Sequence, residues 1–207
     1  MTRWMSNLLL AAQLAFGSQA SPATAPYEKA NTLFVAKKFP ETAVALAEAL
    51  KADPNFVPAL TLRAKLAMAT NHFEEARQAL EHALKIDPKA EYARFLYGLE
   101  AYVTNDMTQA LPRFRKAHQL NPNSPRAALY LGLTCEAVGQ VEEAMTLYRD
   151  AVRLELASGA VGAETLLPGA RLLLLQGHID ESEKWIRQAL KVAPDFRDTH
   201  FELRECC

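Results

Sequence analysis

The sequence predicts an all-α fold, an α-solenoid of about five 34-residue helix-turn-helix repeats. Three observations predict it: a composition rich in helix formers, prolines that recur with one period, and columns of small residues in step with the prolines. The chain has 207 residues, of which 50% are apolar and 8% aromatic, and it contains 8 glycines. This composition favours helices over strands and supplies enough apolar side chains for a core of domain size.

The prolines mark the period. Pro54, Pro88 and Pro122 lie 34 residues apart, and Pro194 follows after two periods plus four residues. A proline cannot continue the hydrogen bonds of a helix and restricts the residue before it, so each one predicts the end of a helical unit. A fixed period of about 20 to 50 residues is typical of stacked repeat architectures.

Small side chains recur in register with these prolines. They are expected where two helices cross closely, because a large side chain would hold the backbones apart. A large apolar side chain opens each second helix. The small columns hold Ala49, Ala83, Ala117, Ala151 and Ala189, then Thr42, Ala76, Ala110, Ala144 and Ser182, then Ala30, Ala64, Gly98, Gly132 and Ala170; the large apolar column holds Phe39, Phe73, Met107, Val141 and Ile179.

With these columns in place, the repeat resembles the tetratricopeptide repeat family, whose unit has 34 residues. That family favours small residues at the eighth, twentieth and twenty-seventh positions and proline at the thirty-second, which are Gly98, Ala110, Ala117 and Pro122 in the third unit. The resemblance implies a right-handed superhelical stack that binds proteins or peptides. It covers residues 23–196, with units near 23–56, 57–90, 91–124, 125–158 and 163–196.

Each unit is expected to contain two helices. The proline positions, the apolar column and the charges at helix ends place their bounds. First helices are predicted near 25–37, 57–70, 91–104, 125–138 and 164–176, and second helices near 40–52, 73–86, 107–120, 141–156 and 179–192.

Several segments depart from the repeat. Pro112 and Pro168 fall inside predicted helices and are expected to bend or shorten them. Four extra residues within 156–163 are expected to lengthen a helix or loosen a turn before the fifth unit. Residues 21–26 are predicted to be a short extended linker, and residues 197–207 a truncated capping helix.

Residues 1–20 are predicted to be an export signal. Arg3 supplies a positive charge, Leu8–Phe16 is apolar except for Gln13, and small residues follow at Ser18 and Ala20. The apolar run is too short for a bilayer, which takes about 20 residues. The alternative is an N-terminal helix that packs on the first repeat. Export predicts a periplasmic or secreted bacterial protein with no stable membrane span after cleavage.

The resemblance implies that the first helices line a concave groove. Aromatic residues are enriched at binding hot spots, so a groove rich in them is expected to hold an apolar segment. The alternative is that several of these residues are ordinary core between neighbouring first helices. The register assigns to the groove Tyr27, Asn31, Phe34, Thr61, Lys65, Met68, Tyr92, Phe95, Leu99, Tyr102, Arg126, Leu129, Leu133, Glu136, Leu167 and Arg171.

The charged residues that the register assigns to the groove have more than one interpretation. Some family members grip a C-terminal carboxylate with lysine and asparagine; Asn31 matches one such position, but Tyr27 stands where the lysine would be. Such a carboxylate site is therefore not predicted. Lys65, Arg126 and Arg171 are candidates to pair with acidic groups of a partner, or are plain solvated surface.

Chemistry other than binding finds no support in the sequence. The net charge is -1, with 23 basic and 24 acidic residues, which excludes the basic stripe of a nucleic-acid binder. The five histidines lack metal-ligand spacing, and no phosphate loop is present. Cys135 is predicted to be a small core residue. Cys206 and Cys207 fit a lipid-acceptor tail, an intermolecular disulfide or a truncated chain. No catalytic residue, metal or cofactor is predicted.

The leading functional hypothesis is a non-catalytic protein-binding or peptide-binding scaffold in envelope assembly or secretion. One alternative is a self-associating module that forms a homodimer through its C-terminal end. Another is the targeting arm of a larger enzyme whose catalytic part is missing.

Overall fold

The computed structural model describes residues 21–159 and 161–194, and these residues form ten α-helices and no strand. The prediction of an all-α fold is therefore confirmed. The helices are α1 (Thr24–Val35), α2 (Phe39–Ala52), α3 (Val57–Ala69), α4 (Phe73–Ile86), α5 (Glu91–Val103), α6 (Met107–Leu120), α7 (Pro125–Ala137), α8 (Val141–Ala157), α9 (Ala163–Leu175) and α10 (Ile179–Val192).

Consecutive helices pair as hairpins, and each hairpin packs on the next. The odd-numbered helices from α1 to α7 also contact one another, so they form one face of the stack. A residue with positive φ follows each first helix. This backbone conformation lets the chain reverse direction before the second helix. These turn residues keep the repeat register: Lys37, Asn71, Asn105, Gly139 and Gly177.

The small columns lie at helix crossings, as predicted. A Cβ atom on Gly98 would lie 2.6 Å from Cδ1 of Phe114, and one on Gly132 would lie 2.8 Å from Cε1 of Tyr148. Phe114 and Tyr148 are themselves fully buried, so neither ring has free space to move into. The glycines therefore let a large aromatic ring from the second helix lie against the backbone of the first.

The predicted departures from the repeat are confirmed in part. The extended linker expected over residues 21–26 is wrong in its second half, because α1 begins at Thr24 and Ala23 is fully buried. Pro112 and Pro168 do not shorten their helices: α6 has 14 residues, as does α2, and α9 has 13, as does α3. The extra residues do lengthen a helix, since α8 has 17 residues.

Two predicted segments lie outside the described residues, namely the export signal at residues 1–20 and the capping helix at residues 197–207. Within the part that the structure describes, no helix combines the length and apolar character needed to cross a bilayer. The lengthened α8 carries charged residues along it, such as Asp150, Arg153 and Glu155.

Candidate functional site: an inner groove

The face formed by the first helices contains three adjoining cavities, which we together call the inner groove. The first pocket has a volume of about 390 Å³ and is lined by Tyr27, Asn31, Val57, Pro58, Thr61, Leu62, Lys65, Ala90, Glu91, Tyr92 and Ala93. The second pocket has a volume of about 470 Å³ and is lined by Phe34, Lys65, Met68, Tyr92, Phe95, Leu96, Leu99, Arg126, Leu129, Tyr130, Leu133, Glu155, Glu164 and Thr165. The third, of about 350 Å³, is lined by Glu91, Tyr92, Phe95, Ala117, Asn121, Ser124, Pro125, Arg126, Ala127 and Glu155.

Tyr92 is the central residue of the inner groove, since it lines all three cavities. Its side chain is 45% exposed, whereas that of Phe95 is only 7% exposed. The two rings stack, with centroids 6.4 Å apart and planes 14° apart. Phe95 in turn packs against Phe114 and Tyr130, so Tyr92 rests on a rigid aromatic floor.

Two cations flank this aromatic centre. Nζ of Lys65 lies 4.8 Å from the ring centroid of Phe34 and 5.6 Å from that of Tyr92. The guanidinium carbon of Arg126 lies 6.0 Å from the ring centroid of Phe95. Contacts at these distances fall within the range of cation–π attraction, which holds the two charges over the rings.

Two of the three carboxylates that line the groove accept hydrogen bonds from the chain. Glu155 accepts hydrogen bonds from the backbone N–H of Gly162 at 3.0 Å and the hydroxyl of Thr165 at 2.9 Å. Glu91 accepts one from the side-chain amide of Asn121 at 2.8 Å. Glu164, at the start of α9, is exposed. None of these carboxylates forms an ion pair with another residue that the structure describes.

A second cluster on the same face is closed, and we call it the sealed end: Tyr102, Glu136, Tyr148 and Arg171. The hydroxyl of Tyr148 donates to Oε2 of Glu136 at 2.6 Å, and the guanidinium of Arg171 donates to Oε1 at 2.6 Å. Burial, and then the hydrogen bond to Glu136, raise the pKa of Tyr148. Burial, and then the neighbouring Tyr130 and Glu136, raise the pKa of Tyr102.

Most of the residues predicted from the register line the inner groove, and their role in binding stays a prediction. Four do not line any of its three cavities: Tyr102, Glu136, Leu167 and Arg171. Arg171, a candidate to pair with acidic groups of a partner, pairs in this structure with Glu136 of the chain itself.

Burial separates the groove residues further. Phe95, Leu129 and Thr61 are buried, so they form the floor rather than the contact surface. The alternative that some register positions are ordinary core therefore holds for these residues. Phe95 also packs against Tyr130 of the neighbouring first helix, as that alternative expected.

Tyr130 and Glu155 are among the groove residues that the sequence did not predict. Tyr130 stacks on Phe114 and lines the second pocket. Its spacing of four residues from Arg126 and three from Leu133 placed it on the same helix face, so the register could have found it. Glu155 enters from α8 because that helix is longer than the other second helices, and no local pattern predicted this.

The described residues offer little for catalysis. They contain no group of three or more His, Cys, Asp or Glu side chains that could hold a metal ion. Cys135 is fully buried, as predicted, and desolvation raises its pKa to about 11. Its thiol therefore keeps its proton at neutral pH and is a poor nucleophile.

Comparison with known sequences agrees with the observed fold. Models of the tetratricopeptide repeat match residues 33–96 and 104–161, and a further tetratricopeptide repeat model matches residues 170–196. The chain belongs to the tetratricopeptide repeat family. No curated protein showed significant sequence similarity to it.

Solved structures with similar folds include pilF of Pseudomonas aeruginosa, with a TM-score of 0.74 and 22% identity over 90% of this chain and 82% of that one. PilW, a type IV pilus biogenesis factor, has a TM-score of 0.74 and 16% identity over 89% of this chain and 88% of that one. YrrB, described as a protein with an unusual peptide-binding site, has a TM-score of 0.66 and 16% identity over 93% and 97%. At these identities the likeness shows the shared fold.

Proposed function

We propose that this chain is a non-catalytic scaffold that holds a protein or peptide segment in its inner groove. The observation that carries the proposal is Tyr92, a half-exposed ring on a packed aromatic floor where three cavities meet. Each cavity lies in the size range of ligand sites, about 300 to 1,000 Å³. Family membership supports the proposal, because repeat stacks of this kind typically mediate contacts between proteins.

An extended or helical apolar segment fits the chemistry of the groove. Tyr92 presents a large apolar area at low entropic cost, and Met68 can adapt its shape to an irregular surface. Phe34 and Leu99 extend the apolar lining of the second pocket on either side of these residues. A segment that crosses successive first helices would bury all four side chains together.

We further propose that the scaffold acts in the bacterial envelope or in secretion. The support is the charged, apolar and small-residue order of residues 1–20, which is typical of an export signal. Two proteins with similar folds are pilF and PilW, and the second is a type IV pilus biogenesis factor. Self-association through the C-terminal end and attachment to a larger enzyme stay predictions from the sequence.

The groove proposal is tested by peptide binding. A library of N-acetylated, C-amidated decapeptides is screened against residues 21–207, and the bound peptides are measured against Tyr92→Ala. We expect affinity to fall about tenfold or more, the size of a hot-spot truncation. Val44→Ala is the matched control, because Val44 is an exposed apolar residue of α2 that lines none of the three cavities. Equal loss in both variants contradicts the proposal.

Export is tested separately by expressing the chain with its N-terminus intact in a bacterium. We expect a product whose mass corresponds to a start at Ser21, recovered outside the cytoplasm. A full-length product in the cytoplasm would rule out export and leave the groove proposal standing.

A further inference from the structure

We propose that the segment held in the inner groove is acidic, with carboxylate side chains that pair with Lys65 and Arg126. Between them, an apolar side chain of the segment covers Tyr92. This inference rests on the proposed function and specifies the chemistry of the partner. It is carried by the position of Lys65 and Arg126 over the aromatic rings of the groove, and by the lack of an ion pair for Arg126 within the described residues.

The arginines of the described residues are almost all neutralised by the chain itself. Of ten, eight form an ion pair with a carboxylate: Arg63, Arg77, Arg113, Arg115, Arg149, Arg153, Arg171 and Arg187. Arg94 donates instead to the carbonyl of Pro88 at 2.7 Å. Arg126 lies over the ring of Phe95 and has neither an ion pair nor a side-chain hydrogen bond within the described residues. It therefore differs from the other nine arginines, and it lines the inner groove.

Lys65 and Arg126 are arranged around one apolar centre. Lys65 lies over Tyr92, Tyr92 stacks on Phe95, and Arg126 lies over Phe95. The two charges therefore lie over different rings of one stacked pair, one charge on α3 and one on α7. Both line the second pocket, so one bound segment would cover both.

Covering this surface removes water from both charges. An ammonium or guanidinium group that loses its water without gaining a partner is strongly unfavourable. At these two positions a neutral apolar group of the segment would therefore be disfavoured, and a basic group more so. Carboxylates on the segment replace the lost water and add charge complementarity, which also speeds encounter.

The groove's own acidic residues restrict where a carboxylate of the segment can lie. Glu155 and Glu91 accept hydrogen bonds only from uncharged donors and form no ion pair within the described residues, so each would repel a nearby carboxylate. Glu164, on the α9 side of the second pocket, would do the same. The acidic groups of a bound segment are therefore accommodated where they contact Lys65 on α3 or Arg126 on α7 directly.

Side-chain carboxylates, rather than the end of a chain, are the expected source. The two cations are separated by the stacked rings of Tyr92 and Phe95, so two carboxylates spaced along the segment suit them better than one. A terminal carboxylate supplies only one group. Peptides with an amidated C-terminus bind through side chains alone, so they separate the two sources.

The probe is the same capped decapeptide library, screened against wild-type residues 21–207. We expect the peptides that depend on Tyr92 to be enriched in Asp and Glu on both sides of an apolar residue. Their affinity should fall about three- to fivefold with Lys65→Gln and about as much with Arg126→Gln, which is the upper range for an exposed ion pair. The affinity should also fall as salt is added, and less steeply in the two variants.

Lys85→Gln and Lys116→Gln are the matched controls, because both remove one positive charge from an exposed position on a second helix. They should leave the affinity within about twofold of wild type, since distant exposed charges are screened. Circular dichroism of all four variants checks that the stack stays folded.

Three results would overturn the inference. Peptides that depend on Tyr92 but bind equally well with Asn and Gln in place of Asp and Glu contradict it and leave the proposed function intact. So does binding to Tyr92 by peptides with a free C-terminus that their amidated forms lack. If no peptide of either form depends on Tyr92, the acidic segment and the groove proposal fail together.

Discussion

The open part of the inner groove around Tyr92 and the sealed end around Glu136 lie on the same helix face but differ in how they satisfy their charges. At the sealed end, the guanidinium of Arg171 and the hydroxyl of Tyr148 converge on one carboxylate. In the open part, Lys65 and Arg126 lie over aromatic rings without a counter-ion from the described residues. The difference shows that helix register brings residues to a face, while the neighbouring helices decide which of them remain available.

The second helices cause this difference. Tyr148 comes from α8 and is fully buried beneath the sealed end, where its hydroxyl fixes Glu136. Phe114, from α6, lies beneath the open part and has no polar atom with which to hold a charged neighbour. An apolar floor therefore offers the cations above it no acceptor for a hydrogen bond or an ion pair.

The largest expected effect separates the floor of the open part from its surface. Phe95→Ala removes a buried ring that packs on three other aromatic side chains, and we expect a loss of about 3–5 kcal/mol in the free energy of unfolding. Tyr92→Ala should lose about 1 kcal/mol or less, because the ring is half exposed. Urea unfolding of both variants provides the measurement. Equal losses would show that Tyr92 is also core.

The next effect tests whether the sealed end is closed by Glu136. In Glu136→Ala the buried hydroxyl of Tyr148 loses its acceptor, and we expect a loss of about 1–3 kcal/mol in the free energy of unfolding. Glu164→Ala is the counterpart in the open part and should change that free energy by about 0.5 kcal/mol or less. If the two substitutions have the same effect in chemical denaturation, the distinction between the regions fails.

Alkaline pH should weaken the sealed end. Burial raises the pKa of Tyr148 and of Tyr102 above the usual value of 10.0, so the unfolded chain loses these protons first. The stability that they contribute is complete below about pH 10 and falls as the pH rises further, by up to about 1.4 kcal/mol per pH unit for each tyrosine.

Tyr148→Phe makes this pH effect measurable. The free energy of unfolding from urea titrations at pH 9, 10 and 11 should fall less steeply in the variant than in wild type, because one of the titrating hydroxyls is gone. Lysines ionise in the same range in both proteins, so only the difference between the two slopes is informative. Parallel slopes would mean that Tyr148 ionises as readily in the fold as in the unfolded chain.

The smallest effect compares the two arginines. Arg171→Gln breaks a half-exposed ion pair and should lose up to about 1 kcal/mol of the free energy of unfolding. Arg126→Gln breaks no ion pair within the described residues and should stay within about 0.5 kcal/mol of wild type. A larger loss for Arg126→Gln would show that its charge serves the fold, which would weaken the case for an acidic partner.

Much of the fold could be predicted because its rules are local and repeated. The proline period and the column that contains Gly98 and Gly132 indicated where helices end and where they cross, and the structure shows both. The linker was misjudged because its prolines and small residues also suit the first turn of a helix, where a missing N–H is tolerated. Pro112 does not shorten α6, which keeps 14 residues with the proline inside it.

The candidate site could be predicted less completely. Period and register placed Tyr92, Lys65 and Arg126 on the inner face, and the structure brings them together. The same register placed Glu136 and Arg171 on that face as candidates for binding, but they neutralise each other. It also could not anticipate Glu155, which reaches the groove from the extended α8.

The sequence by itself determined that this chain stacks helical hairpins, because helix ends and helix crossings depend on side chains only a few positions apart or one repeat apart. Only the tertiary structure decided which charges remain free. Glu136 accepts hydrogen bonds from Tyr148, 12 residues later in the sequence, and from Arg171, 35 residues later. The periodic pattern does not predict such contacts. The physical reason is that a charge is satisfied by whatever lies within about 4 Å of it, and that neighbourhood exists only once the hairpins have packed.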